Sequence, residues 1–312
     1  MVTTQNNSSF SGSQYQGDFP WAEFLADHAL SSTYRETAER WFAPLIDQVR
    51  TLREREDRTL FVGINGCQGS GKSTLAAFIC RALAEQGGLR AVSMSLDDFY
   101  LTQLDRQALA KKVHPMLATR GVPGTHDVDL MRSTFAALTS KSGEVYVPRF
   151  DKAADDRTKI EQWHRIGAPV DVVIWEGWCL GLDPEPEDRL ETAVNALEAE
   201  EDPTGVWRKY ANTALQTYQP LFQQVDYWIM LAAPNFDCVW RWRCEQEAKL
   251  EAALGDTRAS KVMSPGEIAR FVQFYQRLTE WSLDSIPQRM HLLYQLDEQR
   301  QIKQLKQLRQ MP

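Results

Sequence analysis

The stretch LFVGINGCQGSGKSTLAAFICRA, from Leu60 to Ala82, determines the fold class of this chain. It begins as an apolar run typical of a buried strand, passes through a glycine-rich turn and continues with apolar residues at helical spacing. The turn matches the pattern G-x-x-x-x-G-K-[ST]. Its glycines let backbone N–H groups converge on phosphate oxygens, and the helix that follows adds its positive amino-terminal end. The sequence therefore predicts a strand, a phosphate-binding loop (P-loop) and a helix.

Each residue of this turn is a candidate for nucleotide binding. We expect the Lys72 ammonium to reach the β- and γ-phosphates and the Ser73 hydroxyl to help hold Mg²⁺. A chance match in a glycine-rich turn is the alternative, but the strand before and the helix after are the context that the motif requires. The candidates are Gly66, Cys67, Gln68, Gly69, Ser70, Gly71, Lys72, Ser73 and Thr74.

Composition is typical of a globular protein that handles small molecules. The 312 residues are 43% hydrophobic and 25% charged, and the net charge of -7 argues against a general nucleic-acid binder. The five cysteines lack C-x-x-C spacing, so neither a zinc site nor a disulfide framework is indicated. We expect a cytoplasmic protein without a membrane partner, because no apolar run approaches a membrane span and the N-terminus lacks a signal core. The sequence leaves the oligomeric state open.

Two more predicted strands end in carboxylates. Residues 89–96 (LRAVSMSL) alternate like a strand and lead into Asp97, and residues 170–175 (VDVVIW) form a buried strand that leads into Glu176. Because ligands of open parallel sheets bind outside the carboxyl ends of the strands, both side chains should lie near the P-loop. We expect Asp97 to accept a proton from an attacking hydroxyl and Glu176 to hold or orient Mg²⁺. A helix cap or turn is the alternative for Asp97.

Three other segments are less specific. Residues 120–127 (RGVPGTHD) must turn sharply, and Asp127 either contacts substrate or caps a helix beginning near Val128. Residues 149–157 carry both acidic and basic side chains, a mixture that is also typical of a solvated surface loop. Arg241 and Arg243 follow the last predicted core strand, residues 225–233 (VDYWIMLAA). They are candidates for a lid over the phosphates, or for an exposed helix face.

The chain is predicted to form one domain with appendages. Residues 1–17 are expected to be a disordered tail, and residues 18–312 a single kinase-type domain with a helical extension over about 18–57. Within this domain, nine acidic residues in the segment 183–202 predict a surface helix with flanking loops. A capping box at Ser264 predicts a C-terminal helix. Residues 299–312 suggest an exposed helix or frayed tail.

Five blocks together resemble the D-glycerate 3-kinase family, whose relatives include uridine kinase, pantothenate kinase and phosphoribulokinase. They stand in the family's order within residues 58–247: GCQGSGKST, SLDDFYLT, RGVPGTHD, VPRFDKAADDR and VIWEGWCLG. The resemblance implies an α/β fold of the P-loop kinase type, a parallel sheet flanked by helices, with extra N- and C-terminal helices. It also implies an enzyme that uses ATP and Mg²⁺ to phosphorylate D-glycerate on a hydroxyl group.

The resemblance also implies residue roles. It assigns Asp97 as the catalytic base and Asp127 as a ligand of substrate hydroxyls. A substrate carboxylate in addition needs a guanidinium or ammonium partner. The candidates for substrate binding are Asp97, Tyr100, Arg120, His126, Asp127, Arg149, Asp151, Lys152 and Arg157. The sequence departs from the family in a short spacer, AADD, before Arg157 and in the acidic segment, which has no counterpart.

Alternatives remain open at this stage. The acceptor could be another small hydroxylated molecule, such as a nucleoside or pantothenate, or the P-loop could serve a regulatory protein without catalysis. Cys67 lies inside the predicted P-loop, and Cys179 follows shortly after Glu176. If either thiol lies near the phosphates, its oxidation would block nucleotide binding; inert buried cysteine is the alternative.

Overall fold

The computed structural model describes residues 19–254 and 263–309, and the predicted tail, residues 1–17, lies outside them. The strands are β1 (Leu60–Gly66), β2 (Ala91–Ser95), β3 (Glu144–Val147), β4 (Phe150–Asp151), β5 (Asp156–Arg157), β6 (His164–Gly167), β7 (Val172–Gly177), β8 (Tyr227–Ala232), β9 (Leu292–Leu296) and β10 (Ile302–Gln307). The α-helices are α1 (Trp21–Asp27), α2 (Thr33–Thr37), α3 (Ala43–Arg55), α4 (Lys72–Gly87), α5 (Gln103–Lys112), α6 (Val128–Leu138), α7 (Ala196–Glu201), α8 (Val206–Phe222), α9 (Asp237–Leu254) and α10 (Pro265–Ser285). No helix in the described ranges is both long and apolar enough to cross a bilayer.

Six strands form the central sheet, in the order β10-β9-β8-β1-β7-β2. All neighbours pair in parallel except β9 and β10, which are antiparallel. This arrangement confirms the predicted α/β fold with a mostly parallel sheet. Because β1, β7 and β2 are adjacent, their carboxyl ends bring three loops of the predicted site together.

Alternation along the strands builds an apolar layer on each face of the sheet. In β1, Val62 and Ile64 face a layer that contains α3 and α4, whereas Phe61 faces a layer that contains α6, α8 and α10. Strand β7 divides in the same way, with Ile174 in the first layer and Trp175 in the second. The sheet is therefore covered by helices on both faces, as parallel sheets require.

The acidic segment differs from its prediction as a surface helix. It forms a 3-10 turn at Glu187–Leu190 and the short helix α7, and three of its carboxylates, Glu185, Glu198 and Asp202, are buried. Glu198 makes two hydrogen bonds to Arg277 of α10, at 2.8 and 2.7 Å. Burial of these acids is possible because arginines neutralise them: Arg277 pairs with Glu198 and Glu185, and Arg208 pairs with Asp202.

The prediction for residues 299–312 was wrong where the structure describes them. Ile302–Gln307 is a strand that pairs with β9 at the sheet edge, in place of a helix or frayed tail. Local composition favoured a helix, but pairing with an existing strand decides β structure more strongly than propensity does.

Candidate active site

The P-loop begins where β1 ends and takes a backbone shape that needs glycine. Gly69 has a φ of +78° and Gly71 has a φ of +93°, both in the left-handed region. A Cβ atom on Gly69 would also lie 2.8 Å from Cβ of Trp242, so α9 packs directly on the loop. Helix α4 starts at Lys72, and none of the described side chains caps it, which leaves its first N–H groups to an anion.

Oxygen atoms suited to Mg²⁺ lie beside this helix start. The Ser73 hydroxyl donates to Oε1 of Glu176 at 2.8 Å, and the Lys72 ammonium lies 3.8 Å from Oε2 of the same carboxylate. Within the described residues, that Oε2 atom is buried without a hydrogen-bond partner. A hydroxyl and a carboxylate with spare capacity fit a hard cation, which takes its other ligands from phosphates and water. The described residues contain no cluster of three His, Cys, Asp or Glu ligands.

Asp97 lies on a 3-10 turn, Leu96–Phe99, directly after β2. Its Oδ1 accepts a hydrogen bond from the Tyr100 hydroxyl at 2.9 Å, and its Oδ2 lies 2.6 Å from the Lys152 ammonium. Burial alone would raise the pKa of Asp97, but the Lys152 and Lys72 charges and the two hydrogen bonds outweigh it and hold the pKa well below its usual range. Asp97 is therefore a carboxylate at neutral pH.

A short hairpin, which we call the acceptor hairpin (residues 149–157, containing β4 and β5), covers Asp97. Its charged side chains pair with the loops around the site. Arg149 lies 2.9 Å from Asp98, and Arg157 lies 3.0 Å from Asp127. Arg157 therefore reaches Asp127 even though the spacer before it, AADD, is shorter than the one expected for the family.

Asp155 fixes the turn of this hairpin. It has a φ of +55°, a conformation that glycine adopts more easily, and it pairs with Arg106 at 2.7 Å and with Arg120. Arg106 is fully buried and also donates to the carbonyl oxygens of Leu101 and Ala118. Two arginines therefore hold the strained residue in place.

Asp127, His126 and Asp151 have roles in the framework of the site. Asp127 Oδ1 caps α6 by accepting from the Leu130 N–H at 2.9 Å, which bears out the capping alternative, while Oδ2 accepts from Arg157 at 3.0 Å. Contact with a substrate stays a prediction. His126 is buried and stacks on Tyr100 with ring centroids 4.6 Å apart. Burial lowers the pKa of His126 to about 3, so its ring is neutral. Asp151 is exposed and accepts N–H groups of its own turn, from Ala153 and Ala154.

The two candidate lid arginines differ in what they contact. Arg241 pairs with Glu298 at 3.0 Å, in the turn between β9 and β10, and its guanidinium also lies 3.4 Å from the Cys238 sulfur. Arg243 lies over the Phe271 ring of α10, 5.5 Å from its centroid. The structure therefore joins Arg243 to the helix that borders the acceptor side, whereas Arg241 is tied to the sheet edge.

Sequence reasoning missed four residues that shape the site: Asp98, Asp155, Trp242 and Tyr275. The Asp97-Asp98 pair and the AADD spacer were visible in the sequence, but their partners lie far away along the chain. Tyr275 lies in the buried face of α10, and its hydroxyl lies 3.5 Å from the Arg120 carbonyl oxygen. A Cβ atom at position 121 would lie 2.5 Å from that hydroxyl, so the Tyr275 hydroxyl fits there because residue 121 is glycine.

The two thiols proposed as redox-sensitive are buried. Burial raises the pKa of Cys67 to about 12 and raises the pKa of Cys179 further. Neither thiol forms much thiolate at neutral pH, which supports the inert alternative.

Comparison with known proteins places this geometry in a family. No family model matches the chain. The chain is 34% identical over 260 residues to the "uncharacterized kinase mug58" of Schizosaccharomyces pombe, an alignment that covers 80% of this chain and 91% of that protein. The chain belongs to the P-loop kinase family that includes D-glycerate 3-kinase.

Two further relatives carry more specific names. The chain is 32% identical over 227 residues to the chloroplastic D-glycerate 3-kinase of Arabidopsis thaliana, which covers 69% of this chain and 46% of that protein. The solved structure of a D-glycerate 3-kinase from Cryptococcus neoformans superimposes with a TM-score of 0.70 at 25% identity, covering 89% of this chain and 99% of that one. This chain is therefore a kinase of the ATP-dependent P-loop class that acts on a small molecule.

Proposed function

We propose that this P-loop kinase transfers the γ-phosphate of ATP to a hydroxyl of D-glycerate and releases phosphoglycerate and ADP. The observation that carries this proposal is the ammonium of Lys152 beside Asp97, at 2.6 Å. A hydroxy acid offers two groups on one short carbon chain, and this pair offers a base for the hydroxyl and a cation for the carboxylate.

The other parts of the proposed reaction are electrostatic. Backbone N–H groups of the P-loop and Lys72 would hold the phosphates, and Ser73 and Glu176 would hold Mg²⁺, which when bound would neutralise charge on the phosphate oxygens. Asp97 takes the proton of the attacking hydroxyl. Little covalent work remains for the protein, because phosphoryl transfer depends on positioning and charge.

The acceptor hairpin supports an acidic substrate over a nucleoside or pantothenate. Of its cations, Lys152 pairs with Asp97 and Arg157 pairs with Asp127. Arg149 pairs with Asp98, and Arg120 beside the hairpin pairs with Asp155. A regulatory role without catalysis is less well supported, since a mere nucleotide switch needs no base beside the phosphates. We place the reaction in the cytoplasm, the reducing compartment that the cysteine pattern favours.

A coupled ADP-release assay tests the proposal. Purified chain with MgATP is supplied with D-glycerate, uridine or pantothenate at equal concentrations, and D-glycerate should give the highest kcat/KM. NMR of the product then identifies the phosphorylated hydroxyl. Turnover of uridine or pantothenate without turnover of D-glycerate would overturn the proposal, and nucleotide binding without turnover of any acceptor would favour a regulatory protein.

A further inference from the structure

The cations around the acceptor hairpin are held in different ways. Each of three arginines pairs with a carboxylate and also donates to a main-chain carbonyl. Arg149 reaches Pro148, Arg157 reaches Tyr100, and Arg106 reaches Leu101. Such double anchoring fixes a planar guanidinium in one orientation.

Lys152 is held by its charge partner alone. Among the described residues, its ammonium hydrogen-bonds only to Asp97, and its side chain is 63% exposed, against 0% for Arg106 and 16% for Arg157. A lysine on a flexible four-carbon stem can turn to a second carboxylate, because the new ion pair replaces the one to Asp97 that is given up.

The pair also affects the reactivity of the base. An ammonium on Oδ2 and a tyrosine hydroxyl on Oδ1 occupy both oxygens of Asp97, and together they hold its pKa low. A general base works best when its pKa approaches the operating pH. With the pair closed, Asp97 is a poor proton acceptor for any alcohol that enters the site.

We propose that Lys152 selects acceptors by their carboxylate: it pairs with Asp97 until a carboxylate-bearing acceptor draws the ammonium away and frees Asp97 to accept the hydroxyl proton. This inference rests on the proposed function and deepens it, because it makes the acid group of the substrate a requirement for turnover. A neutral alcohol of the same size leaves the pair closed.

The chemical step is balanced. As the acceptor oxygen bonds to the γ-phosphorus, its proton passes to Asp97, and the bond from that phosphorus to the β–γ bridging oxygen breaks to release ADP. The proton leaves Asp97 for solvent when the phosphorylated acid departs, and Lys152 returns to the carboxylate.

Two acceptors and three proteins test the inference. D-glycerate and glycerol share a three-carbon chain and differ in the carboxylate, so the ratio of their kcat/KM values reports carboxylate selection. The proteins are the wild type, Lys152→Met, which keeps an apolar stem without the charge, and Lys159→Met as a matched control at an exposed lysine just beyond the hairpin.

The expected result has two parts. In Lys152→Met, kcat/KM for D-glycerate falls about 10- to 100-fold, the loss of a hydrogen bond to a charged group, while kcat for glycerol rises above that of the wild type. Lys159→Met leaves both values unchanged. In addition to these three proteins, Lys152→Arg should retain most of the selection because it keeps the charge.

Other outcomes overturn the inference. If Lys152→Met loses kcat/KM equally for both acceptors, Lys152 is a structural residue. If the kcat of Lys152→Met for glycerol does not exceed that of the wild type, or if neither protein turns over glycerol, the ion pair does not restrain Asp97. Either result, with wild-type turnover of D-glycerate intact, sinks the inference but spares the proposed function. Absence of D-glycerate turnover in the wild type sinks both.

Discussion

Replacing Asp97 by asparagine tests the central chemical role in this site. The amide keeps the shape of the side chain and an oxygen that accepts from the Tyr100 hydroxyl, which lies 2.9 Å away in the wild type. It cannot take a proton from an attacking alcohol. Because a positioned general base contributes about 10²- to 10⁴-fold, kcat for D-glycerate should fall by that factor.

Folding and nucleotide binding should survive the same change. The ion pair that is lost joins Lys152, which is 63% exposed, to the less exposed Asp97, so the free energy of unfolding should fall by about 1.5–3 kcal/mol, the value of a hydrogen bond to a charged group. ATP affinity should be retained, because the P-loop residues are untouched. The assays are ADP release for turnover, calorimetric titration with an ATP analogue for binding, and urea unfolding for stability.

A matched control separates this role from a general effect of charge. Asp129, 91% exposed on α6, should give full activity as asparagine. If Asp97→Asn binds nucleotide and keeps kcat within about tenfold of the wild type, below the smallest contribution expected of a general base, then Asp97 is not the base and the reading of this site fails.

Three further predictions concern the framework. Gly69→Ala should weaken ATP binding by about 1–2 kcal/mol, because a φ of +78° is strained for alanine and the new Cβ atom meets Trp242. Isothermal titration calorimetry measures the loss of affinity, and an unchanged affinity would mean that the loop adapts to the new side chain. Arg277→Met should lower the free energy of unfolding by about 3–5 kcal/mol, because it leaves the Glu198 carboxylate buried without its charge partner; a loss under about 1 kcal/mol in urea would contradict this. His126 should make the free energy of unfolding depend on pH. Its pKa is about 3 in the folded chain and 6.5 ordinarily, so between these values the unfolded chain binds a proton that the folded chain does not. The free energy of unfolding therefore decreases as the pH falls from about 6.5 towards 3. Between pH 7 and 5 that loss should be about 2 kcal/mol and should be absent from His126→Phe, so equal losses in both proteins would exclude the histidine.

Local signals were enough to predict the P-loop and the sheet strands β1, β2 and β7, whereas the edge strand β10 was mistaken for a helix or tail. The strand, turn and helix from Leu60 to Gly87 follow from apolar periodicity and from glycines placed where a left-handed backbone is needed. The capping box at Ser264 likewise marked the start of α10 correctly. These features depend on residues within a few positions of one another, which a sequence displays directly.

Features made by distant partners could not be predicted in this way. Helix α5 was missed because its buried residue is Arg106, a charged side chain that a hydrophobic period does not register. The two-residue strands of the acceptor hairpin are too short to carry a pattern of their own, and contacts such as the one from Arg149 to Asp98 span 51 positions. Only folding brings those charges together.

The pairing of charges across the acceptor hairpin also constrains how this pocket can change over evolution. Arg157 and Asp127 form a partly buried ion pair. Replacing one member of such a pair leaves the opposite charge without a partner and lowers stability before any new substrate preference is gained. A descendant with a different acceptor should therefore carry reciprocal replacements in the hairpin and in the loops beneath it. Lys152, exposed and singly held, is the position from which such divergence can begin alone.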